Sequence, residues 1–304
     1  MGLLHRLRRR RLAGKRAIVT GGSSGLGRAL AWQLAQRGVD VLATARRGDR
    51  LATLEQEWRA ASRSSGSLQV IAGDQTDAVF RQQLIDTAGE QLGGLDLVVL
   101  AAGSGAVGPF AESSPDTLQK IMDVDFFAPT ELARASLPAL REGNDPAVVF
   151  VGSIIGRHPL PFHQEYAAAK AALTATAGTL RMELAADSID VILATLGPIA
   201  SEFWESLLVG QRASWSRGRA MPAERAARRI LRGLICRRHE VIPGLQAKGY
   251  VLTSRLFPRL FDRCVMRRAG LRRRLFRSRA SLPHQDTPDS SERSAEPPHD
   301  GSSS

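Results

Sequence analysis

Short apolar runs recur along the first two hundred residues, and each is followed by a longer stretch whose apolar positions keep a helical period. KRAIVT (15–20), VDVLATA (39–45), LQVIAG (68–73), LDLVVLAAG (95–103), AVVFVG (147–152) and IDVILATLG (189–197) have the length and β-branched content of strands. They are apolar nearly throughout and not only at alternate positions, which implies burial on both faces of a parallel sheet. The intervening pattern predicts a helix over RALAWQLAQRG that stops at Gly38, then helices over Asp49–Ala61, Ala78–Leu92 and Glu165–Ala185. A long helix over Pro115–Leu140 is expected to bend or split at Pro129. Strands alternating with helices predict an α/β fold with a doubly wound parallel sheet.

Beyond Ser201 the pattern weakens. FWESLL (203–208) reads as a lid, Pro222–Cys236 as a helix with proline in its first turn, and EVIP (240–243) as an edge strand. Farther on, Leu256, Phe257, Leu260, Phe261, Cys264 and Val265 fall on one side of a helical wheel and Arg255, Arg259 and Arg263 on the other, with Pro258 starting a new helix. The last stretch is rich in Ser, Pro, Asp and Glu. The expected division is a basic N-terminal arm (1–13), one catalytic domain (14–245), a basic amphipathic helical extension (246–279) and a disordered tail (280–304).

Charge sharpens this division. Residues 1–16 carry +7 and residues 217–279 carry +16, which leaves −11 on the remainder of a 304-residue chain whose total is +12. Basic flanks on an acidic body suit a phosphate-rich surface. The amphipathic period favours an anionic membrane surface, or packing on the core or in a homo-oligomer interface, over nucleic acid, for which no reader motif is present. The opening MGLLHRLRRRR lacks a signal-peptide core, and no run of about 18 apolar residues could span a bilayer. A cytoplasmic protein is expected, with membrane contact limited to the periphery of an inner face. Cys236 and Cys264 have no metal-ligand spacing, so neither a metal nor a disulfide framework is expected.

Three stretches carry chemistry. Gly21, Gly25 and Gly27 sit between the first strand and the first helix, where glycine lets backbone N–H groups approach a pyrophosphate at the positive end of a helix. Tyr166 and Lys170 stand four apart, on one helical face, so the ammonium can lower the phenol pKa and make the tyrosine a proton carrier. Ser153 ends the fifth strand beside them. Arg46 and Arg47 follow the second strand, where an acid would accept from the ribose 2′-OH of NAD and arginine suits the 2′-phosphate of NADP.

TGGSSGLG at 20–27, GDQTD at 73–77, AAG at 101–103, Ser153 and YAAAK at 166–170 together resemble the short-chain dehydrogenase/reductase family over about residues 14–201. The resemblance implies a one-domain Rossmann-type fold. It implies Tyr166 as proton donor and acceptor, Ser153 as holder of the substrate oxygen, and Lys170 on the nicotinamide ribose. Asp74 would contact the adenine, with Ala102 and Gly103 along the adenosine ribose. Ser23, Ser24, Leu26, Gln75, Gly197, Ile199 and Ser201 complete the expected cofactor set. Three positions depart from the family pattern. Asp125 replaces the usual asparagine of the long helix, Leu196 stands where proline precedes Gly197, and Ser201 replaces threonine. A carboxylate at Asp125 would stabilise the Lys170 ammonium and weaken its pull on Tyr166.

The substrate wall is expected from His158, Phe162, Phe203 and Trp204, with Leu207 beside them. The reading is an oxidoreductase that favours NADP(H) over NAD(H) and interconverts a lipophilic ketone and a secondary alcohol. The alternatives are a non-catalytic NADP-binding protein, and a basic scaffold that binds nucleic acid through its flanks.

Overall fold

A computed structural model describes residues 9–61, 66–205, 207–210 and 220–277, with side chains described through residue 267. The expected disordered tail, and the arm before residue 9, lie outside the described residues. Seven strands form the central sheet: β1 (Arg16–Thr20), β2 (Asp40–Ala45), β3 (Leu68–Ala72), β4 (Leu97–Leu100), β5 (Ala147–Ser153), β6 (Asp190–Leu196) and β7 (Glu240–Val241). All pair in parallel, in the order β7-β6-β5-β4-β1-β2-β3. Every right-handed crossover of such a sheet needs a covering helix, and the pattern supplies one each time.

The two-residue period of the strands divides the core in two. Ala17, Val19, Val41, Leu97, Val149 and Ile192 point to the face covered by α1 (Gly25–Ala35), α2 (Gly48–Ala61) and α7 (Ala223–Ile235). Ile18, Leu42, Val98, Phe150 and Leu193 point the other way, against α3 (Ala78–Leu92), α5 (Ala128–Arg141) and α6 (Gln164–Glu183). Both faces are therefore dry. This is why the strands lack the polar alternation of a one-sided sheet.

The long helix expected over Pro115–Leu140 is two helices. α4 (Pro115–Met122) runs into a single π turn, Asp123–Phe127, and α5 follows, with Pro129 in its first turn. The break thus falls ahead of the proline, whose missing N–H costs nothing at that position. The wider turn carries Asp125 to full burial at the sheet's C-terminal edge.

Two expected boundaries also differ. Arg10, assigned to a basic arm, is buried, and its guanidinium meets Asp190 at 2.8 Å and Asp145 at 3.3 Å. Arg237 joins the same two carboxylates at 2.6 Å each, while the backbone N–H of Arg10 donates to the carbonyl of Ile235 at 2.9 Å. A buried arginine is tolerable only when paired, and these acids pair it. The second boundary, at residue 246, marks no break. α8 (Leu245–Leu256) packs Ala247 against Gly197, and α9 (Pro258–Arg277) follows Phe257 directly.

Candidate active site

The order of the sheet reverses between β1 and β4, leaving a crevice beyond the strands' C-terminal ends. The glycine turn enters it. Gly21 has φ +74°, and a methyl group there would meet the backbone nitrogen of Ala102 at 2.9 Å. Only glycine suits that close approach. Thr20 holds the other side of the crevice, its hydroxyl accepting from the N–H groups of Ala101 and Ala102 at 3.0 Å each. Thr20 thereby ties the loop after β4 to the first strand.

A cavity of about 410 Å³ fills the crevice. All the residues expected at the catalytic and cofactor positions line it, as do Phe203 and Trp204; His158 and Phe162 do not. The turn fits a pyrophosphate. The Ser24 hydroxyl does not cap α1 but accepts from Nη2 of Arg47 at 2.6 Å, so the first-turn N–H groups of α1 face the cavity. Asp74 lines the adenosine end, its carboxylate held by the N–H and hydroxyl of Thr76 at 2.9 Å each. Gln75 is buried and donates to the carbonyl of Val124 at 3.1 Å, joining that end to the π turn.

Ser153 closes β5, and Tyr166 and Lys170 occupy one face of α6, as a spacing of four dictates. Ser153 and Tyr166 line the same cavity, and the Ser153 hydroxyl works against the rise in the Tyr166 pKa. Lys170 Nζ lies 5.7 Å from the centre of the Tyr166 ring and donates to the carbonyl of Val151 at 3.2 Å. Asp125 changes this arrangement: its Oδ1 is 2.8 Å from Nζ, both side chains are buried, and its Oδ2 accepts from the N–H of Ser104 at 3.1 Å. Burial works against the Lys170 ammonium, yet Asp125 and Tyr166 outweigh it and hold the lysine above its ordinary pKa. Tyr166 is pushed up, first by burial, against the pull of Lys170 and with a further push from Asp125. The phenol is therefore the resting form, ready to donate.

The substrate end differs from expectation at two residues. His158 lies outside the cavity, its Nε2 meeting Asp262 of α9 at 2.7 Å and its ring meeting that of Phe261 edge to face. Phe162 sits at a turn with φ +69° and does not line it either. Leu160, Ile155 and Tyr250 take their place beside Phe203 and Trp204. The Phe203 ring lies 5.7 Å from that of Tyr166, so this apolar wall adjoins the proton carrier. Tyr250 comes from the segment expected to be an extension, and its hydroxyl donates to the carbonyl of His158 at 2.8 Å. His163, buried beside Tyr166, has its pKa lowered by burial, so it is neutral near pH 7.

The rim at the end of β2 carries more than the two expected arginines. Arg47 donates to Ser23 at 3.0 Å and meets Glu202 at 3.3 Å, and Arg50, from the first turn of α2, pairs with the same Glu202 oxygen. Arg50, Glu202 and Tyr250 had no motif to mark them, and Thr20 opened the glycine motif without a role assigned to it.

A buried proton carrier beside a dinucleotide crevice makes this chain an oxidoreductase of the type that acts on a CH–OH group, served by a nicotinamide cofactor. It belongs to the short-chain dehydrogenase family, whose model matches residues 15–211. A hydroxysteroid 11-beta-dehydrogenase 1-like protein A of Xenopus laevis is 31% identical over 252 residues, covering 81% of this chain and 84% of that one. A Gallus gallus protein of the same description is 33% identical over 240 residues, covering 76% and 78%. The chain spans 62% of another relative, a short chain dehydrogenase of Pseudocercospora fijiensis, at 34% identity over 194 residues, which are 63% of this chain. Among solved structures, a dehydrogenase/reductase from Sinorhizobium meliloti matches with a TM-score of 0.68 at 28% identity, over 76% of this chain and 95% of that one. A short chain dehydrogenase/reductase from Burkholderia phymatum, in complex with NAD, shares the fold with a TM-score of 0.75 at 21% identity, over 83% and 96%.

Proposed function

We propose that the protein is an NADP(H)-preferring reductase that converts a lipophilic ketone to the secondary alcohol. The observation that carries the cofactor preference is Arg47, held against Ser23 and Ser24 at the mouth of the adenosine end, with Arg46 and Arg50 beside it. A guanidinium fork so placed matches a 2′-phosphate and leaves a free 2′-OH without an acceptor. Bound nicotinamide supplies the hydride. The protein's own part is to hold the carbonyl oxygen between Ser153 and Tyr166 and to donate the phenol proton to it as the alcohol forms. Lys170 orients Tyr166 and binds the ribose. Ile155, Leu160, Phe203, Trp204 and Tyr250 exclude water and favour an apolar substrate. The relatives' description as hydroxysteroid dehydrogenase-like proteins makes ring ketones of steroid size the first class to try.

NADPH oxidation in the presence of a panel of cyclic and steroid ketones tests this reading, with Tyr166→Phe as the control. Turnover of at least one lipophilic ketone, lost in that variant and weaker with NADH, is the expected result. Retained turnover in the variant, or a preference for NADH, would refute it.

A second reading concerns location. Leu252, Leu256, Phe257 and Leu260 are exposed around the α8–α9 junction, and Arg255, Arg259, Arg263 and Arg267 are exposed beside them. The same α8 lines the cavity with Ala247 and Tyr250. Among the described residues no helix is long and apolar enough to cross a membrane. An apolar patch rimmed by arginine suits an anionic bilayer surface, where each arginine contributes about 1 kcal/mol and the Leu and Phe side chains add a term insensitive to salt. A lipophilic substrate would then enter beside the membrane. Sedimentation with anionic and neutral vesicles decides it: binding to anionic vesicles, only partly released by salt, is expected, and no binding would overturn it.

A further inference from the structure

Glu202 has no part in the proton relay and belongs to no motif, yet it sits at the cofactor's most selective point. It follows Ser201, which packs against the glycine turn so closely that a methyl group on Gly25 would meet its Cβ at 2.7 Å. It also opens the short 3-10 turn Glu202–Glu205, whose Phe203 and Trp204 wall the substrate end. From there its carboxylate reaches across the crevice. One oxygen, Oε2, accepts from Nη1 of Arg47 at 3.3 Å and pairs with Nη1 of Arg50. Arg47 turns its other nitrogens, Nε and Nη2, to Ser23 and Ser24.

A carboxylate and a phosphate monoester present the same thing to a guanidinium, two or more anionic oxygens in a plane that the fork can grip. On the reading that Arg47 receives a 2′-phosphate, Glu202 already occupies the nitrogens that phosphate needs. We infer that Glu202 is a specificity-determining residue, an internal stand-in for the 2′-phosphate that must release Arg47 and Arg50 before a phosphorylated cofactor can take them. A cofactor without the phosphate makes no claim on either arginine and leaves the pairs in place. Glu202 therefore lowers affinity for the 2′-phosphorylated dinucleotide selectively. Because it leads directly into Phe203, that release also frees the segment that covers the substrate, so the phosphate's arrival is coupled to the apolar wall.

This inference rests on the NADP(H) reading, and the test separates the two. Calorimetry with 2′,5′-ADP and with 5′-AMP measures the phosphate's effect without nicotinamide or turnover. The proteins compared are the full chain, Glu202→Gln and Arg47→Ala. The unsubstituted chain should bind 2′,5′-ADP more tightly than 5′-AMP, and Arg47→Ala should reduce that difference. Glu202→Gln should bind 2′,5′-ADP about 3- to 10-fold more tightly, as expected when two half-exposed ion pairs no longer compete, and 5′-AMP unchanged. If Arg47→Ala weakens 2′,5′-ADP but Glu202→Gln leaves it unchanged or weaker, the inference is wrong and the cofactor reading stands. If the unsubstituted chain does not distinguish the two nucleotides, the cofactor reading fails and the inference with it.

Discussion

Asp125→Asn removes one charge from the site at almost no change in shape, and the geometry sets how much that charge is worth. With Lys170 Nζ 5.7 Å from the ring centre of Tyr166, an ammonium stabilises a phenolate by about 3 kcal/mol at an effective dielectric of about 20. Asp125 Oδ1 is 2.8 Å from that ammonium and so can be no more than about 8.5 Å from the ring, where it takes back about 2 kcal/mol or more. Asparagine returns it, an increase in phenolate population of about 30-fold or more at a pH well below the tyrosine's pKa. The sign follows from the proton's direction. Alcohol oxidation needs the phenolate and ketone reduction needs the phenol, and the native carboxylate, which helps to raise the Tyr166 pKa, favours the phenol.

In the variant the rising limb of the oxidation profile should move to lower pH, with oxidation near neutrality about 30-fold faster, while reduction there changes little. Rates in both directions over about pH 6 to 10, with thermal melting to check the fold, measure this. Ser104 keeps an acceptor in the amide oxygen, so a folded variant is expected. Profiles that superimpose would mean that the carboxylate does not act on Tyr166. A shift to higher pH would mean that Lys170 loses its own proton when its buried partner is gone, which also overturns the argument.

Tyr166→Phe should lower kcat by about 10² to 10⁴ while calorimetry finds cofactor binding intact, because only the transferable proton is deleted. Thr20→Val leaves the N–H groups of Ala101 and Ala102 without their acceptor and should cost about 1 to 3 kcal/mol, read as a lower midpoint in urea and weaker cofactor binding. Replacing both Leu256 and Leu260 by Asp should abolish vesicle binding without changing the melting temperature by more than a few degrees, since both are exposed. A large fall in melting temperature would instead place those leucines in a protein interface.

The fold was legible because its determinants are local. Each strand is a continuous apolar run and each helix a periodic one, and a parallel sheet follows from their alternation without knowledge of any particular contact. The π turn was not legible. Met122 to Ala128 keeps the helical period, and the extra residue in the turn is fixed by what surrounds it, the burial of Asp125 against Lys170 and the bond from Gln75 to Val124. Arg10 was misread for a related reason. In a run of arginines nothing local distinguishes the one that meets Asp145 and Asp190 from the exposed Arg9 and Arg11, since both partners lie more than 130 residues away.

The site divides along the same line. Gly21, Ser153, Tyr166 and Lys170 are spaced by the geometry of a turn, a strand end and a helix face, and that geometry is what a motif records. Tyr250 reaches the cavity, and Glu202 the arginines at its rim, from segments without such spacing, while His158 lies outside it, paired with Asp262 and against the Phe261 ring. The helical wheel of the last segment, drawn over residues 255–265, did not extend to the faces of α8. α8 has two: Ala247 and Ser254 are buried inward, while Leu245, Leu252 and Leu256, on the opposite side at spacings of seven and four, remain exposed. A helix committed on one face to the cavity wall cannot turn its other apolar face inward as well. Tyr250, on that same helix, lines the cavity and bonds to the carbonyl of His158, so α8 is tied to the loop between Ser153 and Tyr166.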